Sequence, residues 1–140
     1  MRPIYRTVLD SNVYVSAFGF GGKPKELIRH GIIGHYQIVL SDFIIKETSQ
    51  VCLKKLGLPK KTINGFFEDI IDFVELVTPT TPVSAVENDG DNQILSIAFD
   101  GRANFIVTGD KSHLLPLKTF KGIKIITISD FFTFLERGSF

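Results

Sequence analysis

Apolar runs of strand length recur along this chain, and helical spacing fills the gaps between them. The runs are Tyr5–Leu9, Tyr36–Leu40, Phe73–Val77, Phe105–Thr108 and Ile123–Ile128. Among the helical stretches, Lys25–His30 is short, and Asp42–Lys55 follows Ser41, a good cap residue. Lys60–Ile71 follows Pro59, a favoured first helical position, and Asp91–Phe99 carries Ile94, Leu95 and Ala98 on one stripe. Ser129–Arg137 again starts with a cap residue. Strands alternating with helices imply a largely parallel sheet covered on both faces. At 140 residues there is room for one hydrophobic core, so a single α/β domain over residues 1–140 is expected. The Pro-rich "TPTTPV", Thr78–Val83, reads as a loop, because too little chain follows it to build a second core.

Composition narrows the class. Hydrophobic residues make up 44% and charged residues 22%, a globular balance rather than a disordered one. No apolar run approaches the ~20 residues needed to span a bilayer. Asp10 interrupts the only early apolar run, so no signal peptide is expected. The single cysteine, Cys52, lies between Val51 and Leu53 and reads as a buried thiol; with no internal disulfide, the expected compartment is the cytoplasm. A net charge of +1 does not announce a nucleic-acid binder. The lysine clusters Lys54, Lys55, Lys60, Lys61 and Lys118, Lys121, Lys124 read first as solvated faces. Thirteen Phe include the neighbours Phe66-Phe67 and Phe131-Phe132, which cannot share one narrow helical face. Some rings are therefore expected on a second surface, such as an oligomer contact.

The acidic positions carry the chemistry. In open α/β sheets, ligands bind at the carboxyl ends of strands, near the point where strand order reverses. Asp10 ends the first run and Asp110 ends "FIVTGD", Phe105 to Asp110. Either one alone reads as a helix cap. Glu47 is different, because it lies three residues after Ile44 and four before Val51, on the apolar stripe of its helix. A glutamate there is rarely buried unless it is paired. Asp91 continues the Ile94–Leu95 stripe into the first turn of its helix, where the helix dipole favours it by ~0.3–1 kcal/mol. Four inward carboxylates at one end of a sheet raise one another's pKa, and a divalent cation resolves the conflict. Oxygen ligands suit Mg²⁺ or Mn²⁺, ions that serve phosphoryl chemistry. His30, His35 and His113 lack metal-ligand spacing, and no G-x-S-x-G elbow occurs. The glycine-rich "GFGGKPK", Gly19 to Lys25, has Pro24 where a phosphate loop needs Ser or Thr, and reads as a mobile loop near the site.

These residues resemble the PIN-domain nucleases over nearly the whole chain. The resemblance rests on "LDSN" (Leu9–Asn12) after the first strand and Glu47 in the helix after the second. It is completed by "DNQIL" (Asp91–Leu95) opening a helix and "VTGD" (Val107–Asp110) after the fourth strand. It implies a PIN-like three-layer α/β/α fold with a mainly parallel sheet of about five strands. It also implies a metal-dependent ribonuclease with Asp10, Glu47, Asp91 and Asp110 around Mg²⁺ or Mn²⁺, and with Asn12 and Thr108 in support. In the reaction so implied, an activated water attacks phosphorus without a covalent intermediate, leaving a 5′-phosphate and a 3′-hydroxyl. The chain looks most like the prokaryotic toxin components of toxin–antitoxin pairs. That implies an RNA substrate, an antitoxin protein partner and a homodimer.

The chain departs from the family pattern at Ser112, where relatives often carry a second aspartate after the fourth acid, and at Asn88-Asp89, where they often show Asp-Pro. Asp89 reads as a cap rather than a ligand. Two other readings stay open at this point. A PIN-fold module that binds RNA or protein with a weakened site around Ser112 is one. A receiver- or dehalogenase-type phosphotransfer domain is the other, and it gives Glu47 no role.

Overall fold

The computed structural model describes residues 4–138. Its strands and helices follow one another as β1 (Arg6–Leu9), α1 (Ser11–Phe20), α2 (Gly22–Ile32), β2 (Gln37–Leu40), α3 (Asp42–Leu56), α4 (Lys60–Ile70), β3 (Val74–Leu76), α5 (Asp89–Asp100), β4 (Phe105–Val107), β5 (Thr119–Phe120), β6 (Ile123–Ile126) and α6 (Ile128–Arg137). The sheet order is β3-β2-β1-β4-β6-β5. All neighbours are parallel except the short β5, which pairs antiparallel with β6 and adds a sixth strand to the five the sequence suggests.

β1 sits in the middle, with Val8 opposite Val39 of β2 on one side and Ile106 of β4 on the other. The chain moves outward from β1 through β2 to β3, then returns past β1 to β4. Right-handed crossovers in opposite directions put α1–α4 on one face and α5 on the other. The sheet order therefore reverses between β1 and β4, and the carboxyl ends of those two strands form the switch point. At the opposite, amino end of β1, Arg6 holds the frame. Its guanidinium donates to the Gly101 carbonyl at the end of α5, at 2.8 and 2.6 Å, and pairs with Glu75 on β3.

The main departure from the sequence reading lies between Asp10 and Ile32. "GFGGKPK" is not a mobile loop. Gly19 and Phe20 close α1, Gly21 is the joint at φ 67°, and α2 begins at Gly22 rather than at Lys25. Val13, Val15 and Gly19 are weak helix formers, but burying Val13 and Tyr14, whose ring meets Phe67 of α4 edge-on, overrides that preference. Elsewhere the differences are of one to three residues. A 3₁₀ turn, Ile71–Phe73, takes the start of the expected third strand, and α5 begins at Asp89 because Asn88, not Asp89, supplies the cap by accepting from Asp91 N–H at 3.0 Å.

The paired phenylalanines divide as helix geometry requires. Phe67 and Phe131 are buried, while Phe66 meets Phe18 edge-on at 5.0 Å and Phe132 meets His30 at 5.7 Å. The second rings thus cover seams between helices. Phe20, Phe73 and Phe99 remain exposed. Cys52 is fully buried on α3.

α2 approaches the sheet through Gly31, where an added Cβ would lie 2.5 Å from two carbons of Ile38. Gly31→Ala is expected to destabilise the fold by about 1–3 kcal/mol through overpacking. Gly65→Ala on α4, where a Cβ meets nothing within 4 Å, is expected to be neutral or to stabilise by about 0.5–1 kcal/mol. Urea midpoints of the two variants check both signs.

Candidate metal centre

The switch point brings four elements together, and each supplies one acid. Asp10 is the residue after β1 and also the cap of α1, so the bland and the functional readings of this residue describe one position. It is 4% exposed. One oxygen accepts from Ser11 N–H at 2.8 Å; the other accepts from the Thr108 hydroxyl at 2.8 Å and from Asn12 Nδ2 at 3.2 Å. Burial pushes the Asp10 carboxyl up to about 6; those hydrogen bonds oppose the rise, and the charges of Glu47 and Asp110 add to it.

Thr108 and Asn12 form the frame around Asp10. The buried Thr108 hydroxyl also accepts from Asp110 N–H at 2.9 Å and from Asn12 Nδ2 at 3.3 Å, while Asn12 Oδ1 accepts from Gly109 N–H at 3.1 Å. The loop after β4 is thereby locked onto the start of α1.

Glu47 reaches in from α3. Its carboxylate accepts from the Ser11 hydroxyl, and the backbone of Gly90 on α5 comes near enough that an added Cβ would lie 3.5 Å from Glu47 Oε2. The salt bridge that would explain Glu47 without a site does not involve Lys46, which pairs with Asp42 at 2.9 Å. Ser11 is a site neighbour that sequence reasoning passed over, although it sits inside the "LDSN" stretch.

Asp91 and Asp110 form a pair. Asp91 is pushed up to about 7, by burial first, then by a shared hydrogen bond with Asp110 and the charges of Asp110 and Asp10; His113 works against the rise. For Asp110 burial acts upward too, yet its carboxyl lies below the ordinary value. Ser112 N–H at 2.9 Å, the Asp91 carboxyl, and the N–H groups of His113 and Leu114, both at 3.3 Å, hold it ionised. The expectation that all four acids rise together therefore fails at Asp110, because a turn of backbone donors caps it. Ser112 is exposed and contributes that N–H.

His113, set aside on sequence spacing, stands beside the acids. Its Nδ1 lies 3.3 Å from Asp91 Oδ2 and 3.8 Å from Asp110 Oδ2. Among the described residues, Asp91, Asp110 and His113 form the group whose ligand atoms all lie within 4.8 Å of one another; Asp10 and Glu47 are outside that mutual reach. Neighbouring ligands of an ion at about 2.1 Å stand about 3 Å apart and opposite ones about 4.2 Å. The three residues offer two carboxylate oxygens and an imidazole nitrogen at a spacing that could hold a divalent cation.

The chain is thus a largely parallel α/β domain with acids gathered at its switch point. The PIN domain family matches residues 6–112, and the chain belongs to that family. Among solved structures, it is similar to a chain of the VapBC2 complex of Rickettsia felis bound to a DNA fragment from its promoter. There the identity is 13% and the TM-score 0.61, over 87% of this chain and 98% of that one, a likeness of fold. Comparison with curated proteins finds no match. Among the described residues no helix is long and apolar enough to cross a membrane.

Asp10 rises from an ordinary 3.8 to about 6, so its stabilising share is present at low pH and is lost as pH climbs through 6. Asp91, raised to about 7, acts in the same direction. Metal-free protein is therefore expected to melt at a lower temperature at pH 8 than at pH 5. Asp10→Asn is expected to flatten the fall between pH 5 and pH 8 by about 1 kcal/mol, the single pH unit below 6 that this range contains. Thermal melts in EDTA across this range check it, and a slope unchanged in the variant would remove Asp10 as its cause.

Proposed function

We propose that this protein is a single PIN-like domain over residues 1–140 that acts as a metal-dependent endoribonuclease, the toxin component of a toxin–antitoxin pair. The observation that carries the reading is the meeting of Asp10, Glu47, Asp91 and Asp110 at one switch point, with Asp10 and Asp91 both raised. Those four acids are the proposed catalytic and metal-holding set, with Mg²⁺ or Mn²⁺ as the ion. Bound there, such an ion activates water and offsets charge developing on a phosphodiester. The chain's own residues do the rest. Thr108 and Asn12 fix the Asp10 carboxylate through its second oxygen. Ser11 orients Glu47. The backbone donors after Asp110 keep that carboxylate ionised and aimed at Asp91.

RNA as substrate rests on the resemblance of the four motifs to PIN ribonucleases. A protein antitoxin partner draws support from the fold shared with the VapBC2 chain. Association into a homodimer rests on the same resemblance. The lone buried thiol of Cys52 fits a reducing cytoplasm.

Incubation with single-stranded RNA and Mn²⁺ or Mg²⁺ is expected to yield 5′-phosphate products, and EDTA to abolish them. Asp10→Asn and Asp91→Asn are each expected to lower the rate by about 10²–10³ or more while the circular dichroism spectrum is kept. Folded, ion-replete protein that leaves every RNA intact would sink the proposal.

A further inference from the structure

The turn after β4, residues 111–114, carries a side chain that a carboxylate-only site does not use. Asp110 caps that turn, accepting from the N–H groups of Ser112, His113 and Leu114, and Leu115 N–H closes it on the Asp110 carbonyl at 3.1 Å. Leu114 is fully buried and pins the turn to the core. The turn folds the His113 side chain back beside the Asp110 carboxylate. Its Nδ1 faces the same space as Asp91 Oδ2 and Asp110 Oδ2, at 3.3 and 3.8 Å. The ring is 38% exposed, so packing alone does not dictate where it points.

We propose that His113 is a nitrogen ligand of the ion held by Asp91 and Asp110, and that it makes the site select a transition-metal ion such as Mn²⁺ over Mg²⁺. The assignment rests on the metal-site reading above and goes beyond it in naming a donor and a selectivity. Its chemistry is general. Mg²⁺ is a hard ion that prefers oxygen and holds its waters, whereas imidazole nitrogen suits the transition metals. Ligation through Nδ1 leaves the ring proton on Nε2, which the half-exposed ring can carry toward solvent. Asp110, already kept ionised by backbone donors, and Asp91 then supply the negative charge, and the nitrogen supplies the discrimination. All three donors lie within 4.8 Å of one another, the spread that ligands of one ion need.

The test uses the full chain without RNA. Pulsed electron paramagnetic resonance of protein-bound Mn²⁺ is expected to show ¹⁴N modulation from an imidazole, and His113→Gln to lose it. By calorimetry, His113→Gln is expected to weaken Mn²⁺ binding by about tenfold or more, with Mg²⁺ affinity close to that of the unaltered chain. Circular dichroism establishes that the variant folds, and the resonance signal of the unaltered chain does not depend on any variant. Bound Mn²⁺ without ¹⁴N modulation overturns the role of His113 and leaves the carboxylate site standing. Equal loss of both ions in His113→Gln overturns the selectivity. A chain that binds no Mn²⁺ at all removes the metal-site reading, and this assignment with it.

Discussion

Asp10 N–H donates to the Val107 carbonyl at 2.9 Å, and the Thr108 hydroxyl donates to the Asp10 carboxylate at 2.8 Å. These two bonds tie the carboxyl ends of β1 and β4 together where the sheet order reverses. A crevice at a switch point normally opens because the chain leaves the two strands in opposite directions. Here the strand ends are bridged by one residue that is itself charged. Asp10 is therefore fixed by the backbone of its neighbour strand, by a buried hydroxyl and by its own helix, and it has no freedom to turn toward water. The remaining parts of the site attach to that fixed point. Asn12 follows Asp10 on α1 and locks the Gly109 backbone, and Thr108 holds the Asp110 backbone by accepting its N–H.

How much of this could be read in the residues depended on whether a feature was local. Strands at β1, β2, β4 and β6 were legible because their apolar runs are short, and each ends at a polar residue. Glu47 and Asp91 were legible because a charge on an apolar stripe contradicts the stripe. Helix α1 was not, since Val13, Val15 and Gly19 argue against a helix locally and only burial against elements distant in sequence rewards one. The two-residue β5 lies below any pattern that a sequence can display. His113 failed for another reason. Metal-ligand spacing pairs a histidine with nearby histidines or cysteines, whereas the neighbours of His113 are aspartates, one of them distant in sequence. The usable signal was "DKSHLL": an aspartate followed by a capped turn, with an apolar anchor at Leu114 and a histidine three residues after the acid.

Ser11 shows the same limit on a smaller scale. It sits between two residues singled out for the site, yet a serine after an aspartate reads as part of a cap. Only the arrival of α3 from elsewhere in the chain brings the Glu47 carboxylate to its hydroxyl. Contacts between elements distant in sequence decide such roles, and a one-dimensional pattern does not contain them.

The acids divide by how each is held. Asp110 has backbone donors for its charge and stays ionised below the ordinary carboxylate value. Asp10 has comparable hydrogen bonds, yet burial outweighs them, and Asp91 is raised both by burial and by its neighbours. A fold selected for stability alone would place an amide or a hydroxyl at either position, because neutral groups accept the same frame without the desolvation cost. That cost falls on Asp10, directly after β1, and on Asp91, in the first turn of α5. In the proposed metal site a cation beside them would offset both, and Asp110, capped by backbone donors, would add to its binding. Helix capping alone gives no such account of why a carboxylate, rather than an amide or a hydroxyl, stands at both positions.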